Sequence, residues 1–236
     1  MTNTKSPQAQ HGELKNGFRY IYYPHHDNKI ICLQLIVRIG SAFETDAERG
    51  FSHLLEHLSF KSTPSFPTNN LTDYLSSLGI SVNAYTDFDS TCYYMLLPSE
   101  RLQVAVKALA ELVRYNQITP ADLKAEKQIV IEEIRQYDTD PESAFTEFIQ
   151  NSYFSSSPLR HPIIGSAKEI KAISHAQVRS FKAKYYHPGN CFLIACGAFD
   201  QEDLRRSVEL EFSDWVIPVD SKTIDATNIP SLFPEK

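Results

Sequence analysis

The chain has 236 residues, of which 42% are hydrophobic and 22% charged, with only 8 glycines and 13 prolines. This composition excludes collagen-like, low-complexity and linker-dominated chains and leaves room for a sizeable core. Twenty-three basic residues against twenty-nine acidic ones give a formal charge of −6, which argues against a nucleic-acid binder with a broad basic face. No apolar run approaches the roughly 18 residues of a membrane helix. The opening MTNTKSPQAQHGELKNG contains no apolar signal core, so a cytoplasmic location with no membrane partner is expected. The four cysteines, Cys32, Cys92, Cys191 and Cys196, form no C-x-x-C pair. The last three sit in apolar, strand-like runs and are expected as buried free thiols.

Residues 1–14 are polar and read as a flexible segment. Asn16-Gly17 marks a turn between short strand-like runs. From Ile30 to Ile39, Ile31, Leu33, Leu35, Val37 and Ile39 fall on one side with Gln34 and Arg38 on the other, which predicts a half-buried strand. The period then becomes helical: Phe51, Leu54, Leu55 and Leu58 recur at spacings of three and four up to Lys61. A second short helix spans Leu71 to Leu78 and is stopped by Gly79. Ser81–Thr86 and Thr91–Leu97 read as a hairpin around Asp87-Phe88-Asp89-Ser90. Leu102–Tyr115 is helical. Thr119 and Pro120 open a further helix that runs to Asp140-Pro141, with Asp122 as an acidic third residue. Helices are predicted from Pro141 to Tyr153, over Ala172–Tyr186 and over Gln201–Leu210, with a strand at Cys191–Cys196. Adjacent hairpin strands and paired helices predict an α+β fold, a mainly antiparallel sheet with helices packed on it. The domain is read as 15–215, followed by a proline-bearing tail or linker over 216–236.

His53-Leu54-Leu55-Glu56-His57 has the spacing H-x-x-E-H. At 100° per residue, His53, Glu56 and His57 fall within one 100° arc. Histidines four apart can place two imidazole nitrogens on one tetrahedral zinc. An exposed polar helix face would carry the same residues, so the motif alone does not decide. A catalytic zinc needs a third protein ligand from elsewhere. On the helix after Thr119, Leu123, Val130, Ile134 and Tyr137 define an inward stripe. Glu126 and Glu133 flank that stripe on one side, two turns apart, whereas Glu132 points to solvent. A solvated helix flank is the plain alternative for both.

Glu133 follows His57 by 76 residues, with Glu126 seven before it. Together with the H-x-x-E-H helix, this spacing resembles the inverted-motif zinc peptidases of the pitrilysin and insulin-degrading-enzyme family, which includes the mitochondrial processing peptidases. The likeness runs over roughly residues 12–215. It takes in Leu14-Lys15-Asn16-Gly17, Gly40-Ser41 with Glu44, Gly50, Leu78-Gly79, Asn83-Ala84 with Thr86, His161-Pro162, Gly165, Tyr186, Pro188, Asn190 and Gly197.

The resemblance implies the family's half-domain fold, with helices on one face of the sheet. It implies one Zn²⁺ held by His53, His57 and Glu133, Glu56 as general base on a zinc-activated water, and Glu126 supporting the site by orienting a ligand histidine. It also implies peptide binding along the strand that carries Asn83, Ala84 and Thr86, by main-chain pairing. The expected activity is that of a zinc endopeptidase half acting on peptides or small unfolded polypeptides. Ser62 and Ile80 stand where the family commonly has glycine. The larger departure is that family members carry two halves and this chain has room for one. A second half-domain chain or a homodimer is therefore the expected partner. The alternative is a non-catalytic, peptide-binding or scaffold subunit of the same fold.

Overall fold

The computed structural model describes residues 8–68, 70–155 and 157–225. Residues 1–7 of the opening segment and 226–236 of the tail lie outside the described residues. Six strands form one sheet: β1 (Gln10–Glu13), β2 (Arg19–Pro24), β3 (Ile30–Val37), β4 (Ser81–Thr86), β5 (Thr91–Pro98) and β6 (Cys191–Gly197). Their order is β1-β2-β6-β3-β5-β4. Every neighbouring pair is antiparallel except β2 with β6. The helices are α1 (Phe51–Ser59), α2 (Leu71–Ser77), α3 (Leu102–Ala110), α4 (Pro120–Thr139), α5 (Pro141–Tyr153), α6 (Ala167–Ala172), α7 (His175–Tyr185) and α8 (Gln201–Phe212). The predicted α+β class is the observed one. No helix among the described residues is long and apolar enough to cross a membrane.

Period-two burial sets the layer arrangement. Ile31, Leu33, Leu35 and Val37 of β3, Tyr93, Met95 and Leu97 of β5, and Leu193 and Ala195 of β6 are all buried in one core. Leu54, Leu55 and Leu58 of α1 and Ala105, Val106 and Leu109 of α3 are buried in the same core. On β3 the intervening Cys32, Gln34 and Ile36 are only partly buried. A polar chain fastens α1 to the sheet from beneath. Ser59 Oγ donates to the Leu55 carbonyl and lies 2.9 Å from Tyr93 Oη, which in turn lies 3.0 Å from Tyr186 Oη. Such fully paired buried groups fix one arrangement of helix on strand.

Three expectations are corrected. Gln10–Glu13, within the segment read as flexible, pairs with Arg19–Tyr22 as an edge strand. Its main-chain ladder needs no apolar pattern, so periodicity could not reveal it. The helix expected over Ala172–Tyr186 is α7, which begins three residues later at His175, and a separate α6 precedes it. Ser166 and Ser174 each close a capping box, so α6 ends at Ala172 and α7 begins at His175. Serine with Glu or Gln three residues on starts a helix locally, and two such starts eight residues apart define two helices. Of the three cysteines expected to be buried, Cys92 and Cys191 are, but Cys196 is exposed. It lies on the outward phase of β6, opposite Cys32. Trp215 packs against Phe18 and Phe212.

One buried amide ties the centre of the sheet to the last described turn of chain. Asn190 is fully buried. Its Nδ2 donates to the carbonyls of Tyr185 and Arg38, and its Oδ1 accepts from Ile224 N. Replacing it by alanine strands three polar groups in a dry site. Asn190→Ala is expected to lower unfolding stability by about 3 kcal/mol, read as a shift in urea midpoint at unchanged slope.

Candidate metal centre

The helix that carries the motif is started by its neighbours. Gly50 takes φ +80°, and a Cβ there would meet Ile170 Cδ1 at 2.7 Å and the Ile164 carbonyl at 2.9 Å. Only glycine accepts both the backbone twist and the close approach. The carboxylate of Glu44, almost wholly buried, accepts from Gly50 N at 2.9 Å and Ser52 N at 2.6 Å. It thereby satisfies two of the N–H groups at the helix start. With Leu54, Leu55 and Leu58 turned into the core, His53, Glu56 and His57 are left on the opposite arc, facing α4.

On α4, burial grades the glutamates as the helical wheel predicts. Glu126 is buried, Glu133 is half-buried, and Glu132 is exposed and pairs with Arg135. His57 Nε2 stands 3.5 Å from Glu133 Oε2, and His53 Nε2 stands 3.9 Å from Glu133 Oε1. One ligand atom from each of His53, His57 and Glu133 can be chosen so that all three lie within 4.8 Å of one another. It is the one such group of possible metal ligands among the described residues. Ligands about 2.1 Å from a tetrahedral zinc stand about 3.4 Å apart. The two measured separations sit just above that edge and beyond good hydrogen-bonding distance. The donor set therefore fits zinc: two imidazoles and one carboxylate converge on one point.

The remaining contacts assign orientations. Glu126 Oε2 lies 3.3 Å from His57 Nδ1. In this arrangement Nδ1–H donates to the carboxylate and Nε2 is left free to face Glu133. Lys61 Nζ reaches Glu126 Oε1 at 2.6 Å. Sequence reasoning missed Lys61, which lies four residues beyond His57, just past the end of α1. Thr86 Oγ1 donates to Glu56 Oε2 at 3.0 Å, so Thr86 touches the expected base itself. Asn83 and Ala84 lie on edge strand β4, and Asn83 Oδ1 accepts from Ala84 N. Among the described residues, neither hydrogen-bonds to His53, His57, Glu133 or Glu56, as Thr86 does. A cleft of about 800 Å³ opens beside that group, lined by His53, Thr86, Phe88, Glu133 and Tyr137 among others.

Electrostatics separate the two histidines. Burial, helped by neighbouring His57, drives the His53 imidazole down to about 3, so it stays neutral. Burial acts the same way on His57, but the hydrogen bond to Glu126 and the charges of Glu56 and Glu133 outweigh it and raise its pKa. Burial also raises Glu56, against the Thr86 hydrogen bond and the attraction of His57. For Glu126 burial is overcome by His57 and Lys61, which hold the carboxyl below its usual range.

Comparison with known proteins agrees with this site. Residues 20–167 match the family described as insulinase (peptidase family M16), and residues 172–233 match the peptidase M16 inactive domain. The chain belongs to the insulinase family, whose named members here include zinc proteases. An uncharacterized zinc protease of Rickettsia bellii is 30% identical over 201 residues, covering 85% of this chain and 49% of the relative. The solved first half of the periplasmic protease PqqL from Escherichia coli superposes with TM-score 0.84 at 26% identity, over 92% of this chain and 48% of that one. Subunit 1 of the bovine mitochondrial cytochrome b-c1 complex is 25% identical over 97% of this chain and 46% of its own length. The chain thus spans about half the length of these relatives.

The raised pKa of His57 makes metal binding proton-linked. Below its raised titration range the metal-free protein holds a proton on His57 that a metal at Nε2 would displace. Zinc affinity is therefore expected to rise with pH through that range and then level off, with proton release on binding below it. Calorimetry in buffers of differing ionisation enthalpy measures that proton. Glu126→Gln should weaken zinc roughly 10- to 100-fold and reduce the release.

Proposed function

We propose that this chain is the metal-carrying half of a zinc endopeptidase that hydrolyses peptides or small unfolded polypeptides. The observation that carries the reading is the convergence of His53, His57 and Glu133 with Glu56 alongside, at the edge of an open strand. His53, His57 and Glu133 would hold zinc, and Glu126 would fix the tautomer of His57. Bound zinc supplies a positive charge that polarises a carbonyl and acidifies water. Glu56 takes the proton of the attacking water and returns it to the leaving amine. Burial raises its pKa, the direction that suits a group which must give back the proton it takes. The peptide backbone would lie along β4, where main-chain pairing tolerates many sequences. Since the chain covers about half of its relatives, a second half-domain or a second copy would complete the cleft.

A second reading rests on the match of residues 172–233 to an inactive domain and on the bovine relative named as subunit 1 of the cytochrome b-c1 complex. It makes this chain a non-catalytic, peptide-binding partner of the same fold. Zinc content separates the two: about one zinc per chain, lost in His57→Ala, supports the peptidase, and folded protein without zinc supports the binding subunit. Glu56→Gln is expected to keep its zinc and lose hydrolysis of an unfolded polypeptide by about a thousandfold. Undiminished turnover in that variant would rule out the mechanism.

A further inference from the structure

The edge of the sheet and the proposed base meet in one residue. Thr86 is the last residue of β4, which stands at one end of the strand order. Its hydroxyl supplies the one hydrogen bond to the Glu56 carboxylate among the described residues, at 3.0 Å. The register fixes where its main chain points. Asp87 N donates to Ser90 O at 2.8 Å, and Thr86 stands opposite Thr91. Antiparallel pairs alternate between hydrogen-bonded and non-hydrogen-bonded. With Asp87 and Ser90 a bonded pair, Tyr85 and Asn83 bond to β5, whereas Val82, Ala84 and Thr86 turn their N–H and C=O groups to the open edge. The Ala84 N–H is taken by Asn83 Oδ1. The Thr86 main chain is therefore the free pairing point closest to Glu56.

We propose that Thr86 is a positioning residue that couples peptide binding on β4 to the orientation of Glu56. This rests on the reading of Glu56 as the general base. A peptide strand added at the edge bonds the Thr86 main chain and fixes its φ and ψ. Threonine is stiff at χ1, so a fixed backbone fixes the hydroxyl, and the hydroxyl fixes the carboxylate. The bond is already formed with the edge empty, and a peptide strand on the Thr86 main chain would restrict it further. Binding and orientation of the base are thereby one event.

The test uses the whole chain, zinc-free so that nothing is cleaved, with the glutamate side-chain carboxyls labelled with ¹³C. The Glu56 line is the one missing from Glu56→Gln. The probe is an end-blocked, extended octapeptide of valine and lysine, with its affinity read by fluorescence anisotropy. Thr86→Val, close to isosteric, should move the Glu56 line in the free protein and leave peptide affinity within about threefold. Peptide should shift the Glu56 line in the native chain and in Thr86→Ser, and not in Thr86→Val. With zinc restored, Thr86→Val should lower kcat by about ten- to a hundredfold, the value of one hydrogen bond to a charged group. KM should change by less than about threefold, and Thr86→Ser should recover most of the loss. The proposal is overturned if peptide moves the Glu56 line equally in Thr86→Val, if serine fails to rescue, or if the peptide does not bind. Full turnover in Glu56→Gln would instead overturn the parent reading, while the resonance experiment would still report on the coupling.

Discussion

Everything at the candidate site depends on the burial of one side of a nine-residue helix. Phe51, Leu54, Leu55 and Leu58 of α1 are buried in the core. Each such side chain contributes on the order of 2 kcal/mol by leaving water. That driving force leaves α1 no freedom to roll. With 100° between residues, locking the leucines inward locks His53, Glu56 and His57 outward. Glu44 and Gly50 set where the helix begins, and the Ser59–Tyr93–Tyr186 chain sets its height above the sheet. The chemistry-bearing residues form no packed core of their own. They are held by what lies behind them.

The second requirement is charge. Three carboxylates, Glu56, Glu126 and Glu133, surround two imidazoles in a partly dry cleft. Each is handled differently. Glu126 is buried and held by Lys61 and His57, so it stays ionised. Glu56 has a single hydroxyl donor, and burial raises its pKa. Glu133 faces both imidazoles at separations too long for good hydrogen bonds. A divalent cation among His53, His57 and Glu133 would relieve this concentration of like charge. It would also make use of the neutral state that burial imposes on His53. The same carboxylates that would attract the metal raise the pKa of His57, so proton and metal compete for one nitrogen.

Much of this is legible in the sequence, because it follows from periodicity. The 3.6-residue repeat of α1 places the motif on one face, and the wheel of α4 separates Glu126 and Glu133 from Glu132. The period of two in β3 marks its core side. What was not legible arises between elements far apart in the chain. The Thr86–Glu56 bond spans 30 residues and the Lys61–Glu126 pair 65, and no local pattern signals either. Strand β1 carries no apolar alternation, since an edge strand is held by its ladder alone. The start of α7 is encoded in Ser174 and Gln177, whose capping box leaves two residues between it and the end of α6.

The two family matches meet near residue 170, which invites a division of the chain into two units. The sheet does not divide there. β6, within the second match, lies between β2 and β3, both within the first. It pairs with β3 over seven residues and with β2 over six. Without β6 the buried faces of β2 and β3 would have no strand between them, and Leu193 and Ala195 would be missing from the core. Asn190, at the start of β6, also joins Arg38 to Ile224. Residues beyond 170 are therefore part of the platform on which α1 rests. A chain cut at the boundary between the matches would keep every candidate ligand and lose the surface that aims them.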